Sequence, residues 1–167
     1  MAESDSLRSS RRENFIEHVF VGEVLRALWR VGAYEVDVLR AENDTAGYDV
    51  VIEVGGVSRH VQLKSSAMTS KTSRQKVNVA LGSKQSGCVV WVMFDPGTME
   101  IGPFRWFGGK PGEPLPDITG FPVAKHTKGD AEGEKADRKN IRVLNKGKFV
   151  EIKSIVGVIE QLFGPTT

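Results

Sequence analysis

The stretch GYDVVIEVGGVSRHVQLKSS, residues 47–66, decides the fold and also raises the question of function. Two runs that alternate apolar and polar residues are typical of strands, and Gly55 and Gly56 between them mark a tight antiparallel turn. The first run opens with Asp49, and the second closes with Gln62 and Lys64. Since side chains alternate across a strand, Gln62 and Lys64 project from one face about 7 Å apart. The antiparallel pairing brings Asp49 near that end of the second strand.

The regions around this hairpin alternate between helical and extended patterns. Apolar residues at helical spacing predict an amphipathic helix over residues 14–31, and Ser154 is a good N-cap for a second helix over residues 155–163. Further strands are predicted at residues 33–39, 88–94, 99–107 and 148–153. This order predicts an α/β fold with a mixed central sheet flanked by helices.

Three other regions carry weaker patterns. Residues 67–76 are polar and are predicted to be mobile, and residues 128–140 are charged and are predicted to form a loop that orders on a ligand. Residues 77–86 fit either a short helix or a strand, and we favour the helix.

The composition fits one globular domain. The chain has 167 residues, of which 40% are hydrophobic and 26% charged, and its first residues are polar. We expect a disordered tail over residues 1–13 and a single domain over residues 14–167. The longest strongly apolar run, CVVWVMF at residues 88–94, is far shorter than the roughly 20 residues that span a bilayer. It contains the single cysteine, Cys88, which we interpret as a buried thiol in a protein of the reducing cytoplasm.

The net charge is only +2, but the basic residues are clustered. Two segments, residues 65–94 and 135–148, contain the clusters. Either cluster alone could be a solvated face. Two of them beside a carboxylate site favour contact with the phosphates of a nucleic acid. The candidate contact residues are Lys71, Arg74, Lys76, Lys84, Arg138, Lys139 and Arg142.

The polar end of the hairpin gathers oxygen atoms. The Asp49 carboxylate, the Gln62 amide oxygen and the Leu63 main-chain carbonyl are expected to converge beside the Lys64 ammonium. Oxygen ligands of this kind suit Mg²⁺ or Mn²⁺ and not zinc.

This pattern resembles the PD-(D/E)xK, or restriction-endonuclease-like, nuclease superfamily. Asp49 followed after twelve residues by Gln62-Leu63-Lys64 is similar to the bipartite motif of that family, with glutamine in place of the second acid. The resemblance implies an αβββαβ core with a mixed sheet. It also implies a further acid in the opening helix, for which Glu23 is the first choice and Glu17 the alternative.

The resemblance implies roles for these residues in phosphodiester hydrolysis. Asp49, Gln62 and the Leu63 carbonyl would bind the metal, and Glu23 would hold a water bound to that metal, or a second ion. Lys64 would orient the attacking water or stabilise charge on the phosphate. We expect the opening helix to pack across the face that carries Gln62 and Lys64, so that all four side chains share one cleft.

Two functional hypotheses follow. The first is a Mg²⁺- or Mn²⁺-dependent phosphodiesterase, an endonuclease-like enzyme that acts on DNA in repair, restriction or mobile-element biology. The alternative is a catalytically silent nucleic-acid-binding or structural module that retains the same fold, which the loss of the second acid at Gln62 favours. A lone domain of this kind is expected to recognise the shape or backbone of DNA, or to form a homodimer that cuts two strands.

Overall fold

The computed structural model describes residues 2–165, except for the side chains of residues 2–6 and of Asp44. The elements of this part of the chain are helices α1 (Ala2–Arg30) and α2 (Ile155–Phe163) and strands β1 (Val36–Arg40), β2 (Val50–Val54), β3 (Val57–Ala67), β4 (Arg74–Asn78), β5 (Gly87–Phe94), β6 (Ile101–Gly108), β7 (Val123–Lys125), β8 (Asp137–Asn145) and β9 (Val150–Ile152).

The predicted hairpin is confirmed. β2 and β3 pair antiparallel, with Val50 opposite Val61 and Val54 opposite Val57. Gly55 and Gly56 form the two-residue turn with φ values of +58° and +80°. Positive φ at both turn residues matches the right-handed twist of the strands, and glycine adopts it without strain. The turn chemistry therefore sets the register that brings Asp49 to the polar end of β3.

The central sheet has six strands in the order β1-β2-β3-β5-β6-β9. β3 runs parallel to β5, whereas the other neighbours are antiparallel, so the predicted α/β fold with a mixed central sheet is confirmed. All eight residues of β5 are buried, as expected for a strand that is covered on both faces. In the crossover from β3 to β5, the second helix of an αβββαβ core is represented by a five-residue 3₁₀ helix, Val79–Ser83.

The two helices lie on the same face of the sheet. Ile16, Phe20 and Val24 of α1 are buried in one core cluster with Val61, and Leu63 packs against it. Because Val61 and Leu63 point to this face, Gln62 and Lys64 point to the other. The expectation that α1 packs across the Gln62 and Lys64 face is wrong, since the apolar stripe of α1 is buried against the apolar side chains of β3.

A second, three-stranded sheet covers the other face, in the order β4-β8-β7. Leu81, Trp91 and Leu144 are fully buried in the core cluster on this side. Only the last residues of the segments 67–76, predicted to be mobile, and 128–140, predicted to be a loop, lie in this sheet, since β4 begins at Arg74 and β8 at Asp137. The helix favoured for residues 77–86 is limited to the 3₁₀ helix. The antiparallel pairing of β4 with β8 joins positions about 70 residues apart, so local patterns did not reveal it.

α1 begins at Ala2, so the structure gives helix for residues 2–13 where the sequence predicted a disordered tail. Leu7 is 56% exposed, and Ile16 is the first buried residue in the described part of this helix. The first turns are therefore outside the core, and the domain boundary at residue 14 stays a prediction. Among residues 2–165, no helix is long and apolar enough to cross a membrane.

Candidate functional site

A cavity of about 650 Å³ lies where the open end of the hairpin meets α1 and the second sheet. We call it the hairpin cavity. All four residues of the bipartite motif line it, as do polar residues from α1 and the second sheet. The lining consists of Ser10, Glu13, Asn14, Ile16, Glu17, Arg40, Gly47, Tyr48, Asp49, Gln62, Leu63, Lys64, Ser65, Gln75, Asn78 and Arg138.

Asp49 lies at the point where the β2–β3 ladder opens. Its backbone N–H donates to the Val61 carbonyl at 2.9 Å, and its Oδ2 accepts a hydrogen bond from the Leu63 N–H at 2.6 Å. The N–H and C=O of one strand residue face the same edge, so the Leu63 carbonyl also faces the Asp49 side. The Asp49 carboxylate takes the place of the backbone carbonyl that would accept from the Leu63 N–H in a continued ladder. It brings a negative charge to the edge that the Leu63 carbonyl oxygen faces.

Gln62 contributes an unusual oxygen atom to the cavity. Its Oε1 is buried and has no hydrogen-bond partner among the described residues. An unsatisfied buried polar atom costs about 1–3 kcal/mol, and such atoms in native proteins call for a functional explanation. An acceptor oxygen in this position is suited to a cation or to a donor group of a ligand.

The approach of the chain to Asp49 is fixed by close packing. Gly47 has a φ of +80°, and a Cβ there would lie 2.9 Å from the Leu81 backbone nitrogen, so the position requires glycine. The Tyr48 ring contacts the His60 ring edge-on at 4.8 Å between centroids, and the Lys84 ammonium lies 5.8 Å from the Tyr48 ring centre. These contacts hold the wall from which Asp49 projects.

The acid that α1 contributes to the cavity is Glu17 and not Glu23. Glu23 is paired with Arg26 at 2.9 Å, and it is not among the lining residues. The Arg40 Nε donates to Glu17 Oε1 at 2.5 Å, and the Arg40 NH2 group donates to Asn14 Oδ1 at 2.7 Å. The placement predicted for Glu23 is therefore wrong, and the alternative, Glu17, takes that place. The physical reason is that the apolar stripe of α1 fixes its rotation on the sheet and turns Glu23 away.

The donor set fits a hard divalent cation, but it is sparse. Asp49 supplies a carboxylate, Gln62 an orphaned amide oxygen, and Leu63 a carbonyl on the same edge; these are the oxygen donors that Mg²⁺ and Mn²⁺ prefer. Among the described side chains, no three from acidic residues, histidine or cysteine cluster closely enough to hold a metal. The glutamine at position 62 accounts for the missing acid.

The predicted nucleic-acid-binding residues divide into three groups. Arg138 lines the hairpin cavity, and Lys84 contacts its wall through Tyr48. Arg142 instead donates hydrogen bonds to the carbonyls of Thr119 and Lys139, which gives it a structural role. The remaining candidates lie on or near the second sheet and do not line this cavity; they are Lys71, Arg74, Lys76 and Lys139.

Sequence reasoning missed the α1 wall and Arg40. Ser10, Glu13, Asn14 and Glu17 have the spacing i, i+3, i+4, i+7, which places them on one stripe of a helix. That polar stripe was the available signal, and the assignment of residues 1–13 to a tail concealed it. Arg40 ends β1, and nothing in its local sequence marks its contact with α1.

Comparisons with protein-family models and with curated proteins give no match to this chain. Among solved structures, it is similar to Hjc, a Holliday junction resolvase from Archaeoglobus fulgidus, with a TM-score of 0.41 and 13% sequence identity. The alignment covers 81% of this chain and 96% of the resolvase.

Proposed function

We propose that this protein is a nuclease that hydrolyses phosphodiester bonds in DNA with Mg²⁺ or Mn²⁺. The observation that carries the proposal is the Gln62 Oε1 atom, which is buried and has no hydrogen-bond partner among the described residues. Gln62 lines the hairpin cavity together with Asp49 and Lys64, the charged residues of the motif. A structural cluster would satisfy such an atom internally. An acceptor left open at the end of a rigid hairpin is instead prepared for a ligand.

Asp49, Gln62 and the Leu63 carbonyl would hold the divalent ion. When bound, such an ion lowers the pKa of water and neutralises charge on a phosphate. Lys64 lines the same cavity and would stabilise the negative charge that grows on the phosphate oxygens, or orient the attacking water. Glu17, held by Arg40, would orient water from the α1 wall.

The second sheet would bind the DNA backbone. β4 and β8 bring Arg74, Lys76, Arg138 and Lys139 into one sheet beside the cavity. Phosphate contacts of this kind position a duplex or a strand without reading its sequence. Two hydrolytic sites are needed to cut both strands of a duplex, and one chain supplies one hairpin cavity. We therefore expect a homodimer on duplex DNA, which sedimentation of the complex would test.

The second candidate function is a nucleic-acid-binding module without turnover. The observation that favours it is that the described side chains contain no three-residue cluster suited to a metal, and that Gln62 stands where the motif has an anionic ligand. In this case the cavity would bind a phosphate through Lys64 and Arg138 and would not cleave it.

A cleavage assay distinguishes the two candidates. Single-stranded, double-stranded and branched DNA are incubated with wild type and with Gln62→Glu, in Mg²⁺, in Mn²⁺ and in EDTA. The nuclease proposal predicts metal-dependent cleavage by the wild type, and tighter metal binding by Gln62→Glu because a hard anionic ligand is added. Absence of cleavage on every substrate, with no gain in Gln62→Glu, would favour the binding module.

A further inference from the structure

A second cavity, of about 370 Å³, adjoins the hairpin cavity. Asn78 and Arg138 line both cavities, so the two share a wall. We call the second one the outer cavity; its other lining residues are Thr45, His126, Lys139, Asn140 and Ile141. A ligand longer than one group could therefore extend from the hairpin cavity into the outer cavity across Arg138.

The two cavities differ in charge. Glu13, Glu17 and Asp49 line the hairpin cavity, whereas no acidic residue is among the described side chains that line the outer cavity. Arg138 and Lys139 bring positive charge to the outer cavity, and neither makes an ion pair with any carboxylate in the described part of the chain. The cations and hydrogen-bond donors among these described side chains suit an anion and need no metal to receive it.

The outer cavity lies beside an irregular stretch of β8, where the pairing with β7 shifts register between Arg138 and Arg142. Ala124 is opposite Arg138 in the β7–β8 ladder, and the His126 N–H donates to the Ala136 carbonyl at 2.8 Å. Asn78 is opposite Ile141 in the β4–β8 ladder. Pairing therefore fixes the backbone at Asn78, Arg138 and Ile141, whereas Lys139 and Asn140 lie between the paired positions of β8.

We propose that the outer cavity binds a backbone phosphate of the nucleic-acid strand, next to the phosphate that the hairpin cavity receives. The identity of the ligand as nucleic acid rests on the proposed function. Lys139 and Arg138 pair with the phosphate, and His126 and Asn140 bind its oxygens or the adjacent sugar. The hairpin cavity requires a divalent cation to offset its carboxylates, whereas the outer cavity binds the strand without one.

Binding of a single-stranded oligonucleotide in EDTA tests this proposal. Lys139→Gln is expected to weaken binding about tenfold, and to reduce the slope of log affinity against log salt by about 0.7, the value for one phosphate contact with a single strand. Lys125→Gln is the matched control, because Lys125 is an exposed lysine on the neighbouring strand and does not line the cavity. Equal losses in the two variants would overturn the proposal.

Crosslinking locates the contact. Cys88 is buried and burial raises the pKa of its thiol to about 12, so a thiol introduced by Asn140→Cys is expected to react alone. An oligonucleotide with an activated disulfide tethered to one backbone phosphate should crosslink to Asn140→Cys. It should not crosslink to Val156→Cys, an exposed position on α2 at the other face of the sheet. Failure to crosslink at Asn140→Cys from every tether position would overturn the proposal.

Two further outcomes separate the possible failures. Cleavage by wild type together with equal affinities of Lys139→Gln and Lys125→Gln overturns the outer-cavity proposal alone. Loss of affinity in Lys139→Gln without any cleavage by wild type supports the outer-cavity proposal and overturns the nuclease proposal alone. The proposal would also be overturned if inorganic phosphate binds to wild type below millimolar concentration, this binding is lost in Lys139→Gln, and the oligonucleotide does not compete with it. The outer cavity would then be a site for free anions.

Discussion

Strand β3 carries two polar side chains three residues apart, and their surroundings are opposite in kind. Arg59, near its start, has no exposed surface, and its guanidinium donates to the carbonyls of Leu162 at 2.7 Å and of Gly109 and Gln161 at 2.8 Å. Gln62, three residues later, has a buried oxygen without a partner in the described part of the chain. The Arg59 side chain is satisfied internally, whereas the Gln62 oxygen is left open.

The difference separates a stabilising polar group from a binding group. Arg59 joins the end of α2 to the sheet, since two of its acceptors are among the last carbonyls of that helix, and its guanidinium lies 5.2 Å from the Trp106 ring centre. Burial lowers the pKa of Arg59, because desolvation opposes its charge, and the carbonyls compensate. A buried group with complete partners fixes the fold, whereas one without partners at a cavity indicates a ligand.

The largest effect is expected at Arg59, the satisfied group. Arg59→Ala should lower the free energy of unfolding by about 3–5 kcal/mol, because four buried or part-buried carbonyls, those of Ser86, Gly109, Gln161 and Leu162, lose their donor. Urea denaturation measures this change. Arg26→Ala is the control; Arg26 is exposed and paired only with Glu23, so its loss should be below about 1 kcal/mol. Equal losses in both variants would remove the distinction between Arg59 and Gln62.

At the open end, Lys64→Ala should leave the fold intact and remove turnover. The loss of one oriented charge in an active site lowers kcat by about 100- to 1,000-fold. Single-turnover cleavage measures the rate, and thermal unfolding measures stability. Lys125→Ala removes an exposed lysine outside the hairpin cavity and should keep the wild-type rate. An Lys64→Ala enzyme with unchanged kcat contradicts the catalytic role.

Gln62→Leu should separate stability from activity. The change removes an unsatisfied buried oxygen and retains an apolar group of similar size, so the free energy of unfolding should stay constant or rise by about 1 kcal/mol. Metal affinity should fall at the same time. If Gln62→Leu instead destabilises the protein by more than about 1 kcal/mol, Gln62 is a packing residue and the contrast with Arg59 is lost.

The smallest effect concerns Cys88, which is opposite Val61 in the β3–β5 ladder. Burial raises the pKa of its thiol from 9.0 to about 12 in the folded protein. The stability that the neutral thiol contributes is thus complete below pH 9 and is lost as the pH rises toward 12. Relative to Cys88→Ala, wild type should lose about 1 kcal/mol between pH 8 and pH 10. Parallel stability profiles of the two proteins over this range would contradict the burial effect.

The local parts of the site could be predicted from the sequence. The alternation of β2 and β3 and the turn at Gly55-Gly56 were sufficient to bring Asp49 to the cavity that Gln62 and Lys64 line. These features depend on periodicity and turn chemistry, which act over a few residues.

The parts that depend on helix docking or on distant pairing could not be predicted. Glu17 and Glu23 are six residues apart, about 9 Å along the helix and 120° around it, so only the docking of α1 on the sheet decides which one reaches the cavity. The second sheet joins β4 to β8, where polar side chains give no strong period. Arg40 contacts α1 across 23 residues of chain, and no local pattern indicates that contact.

Manganese binding to three proteins tests the central claim most directly, because it does not depend on turnover. Wild type, Asp49→Asn and Glu23→Gln are titrated with Mn²⁺ and followed by electron paramagnetic resonance. The account predicts one strong site in wild type, an affinity at least tenfold weaker in Asp49→Asn, where a hard anionic ligand is lost, and no change in Glu23→Gln, whose carboxylate is paired with Arg26 away from the cavity. Wild-type affinity that survives in Asp49→Asn would contradict a metal site at the open end of the hairpin.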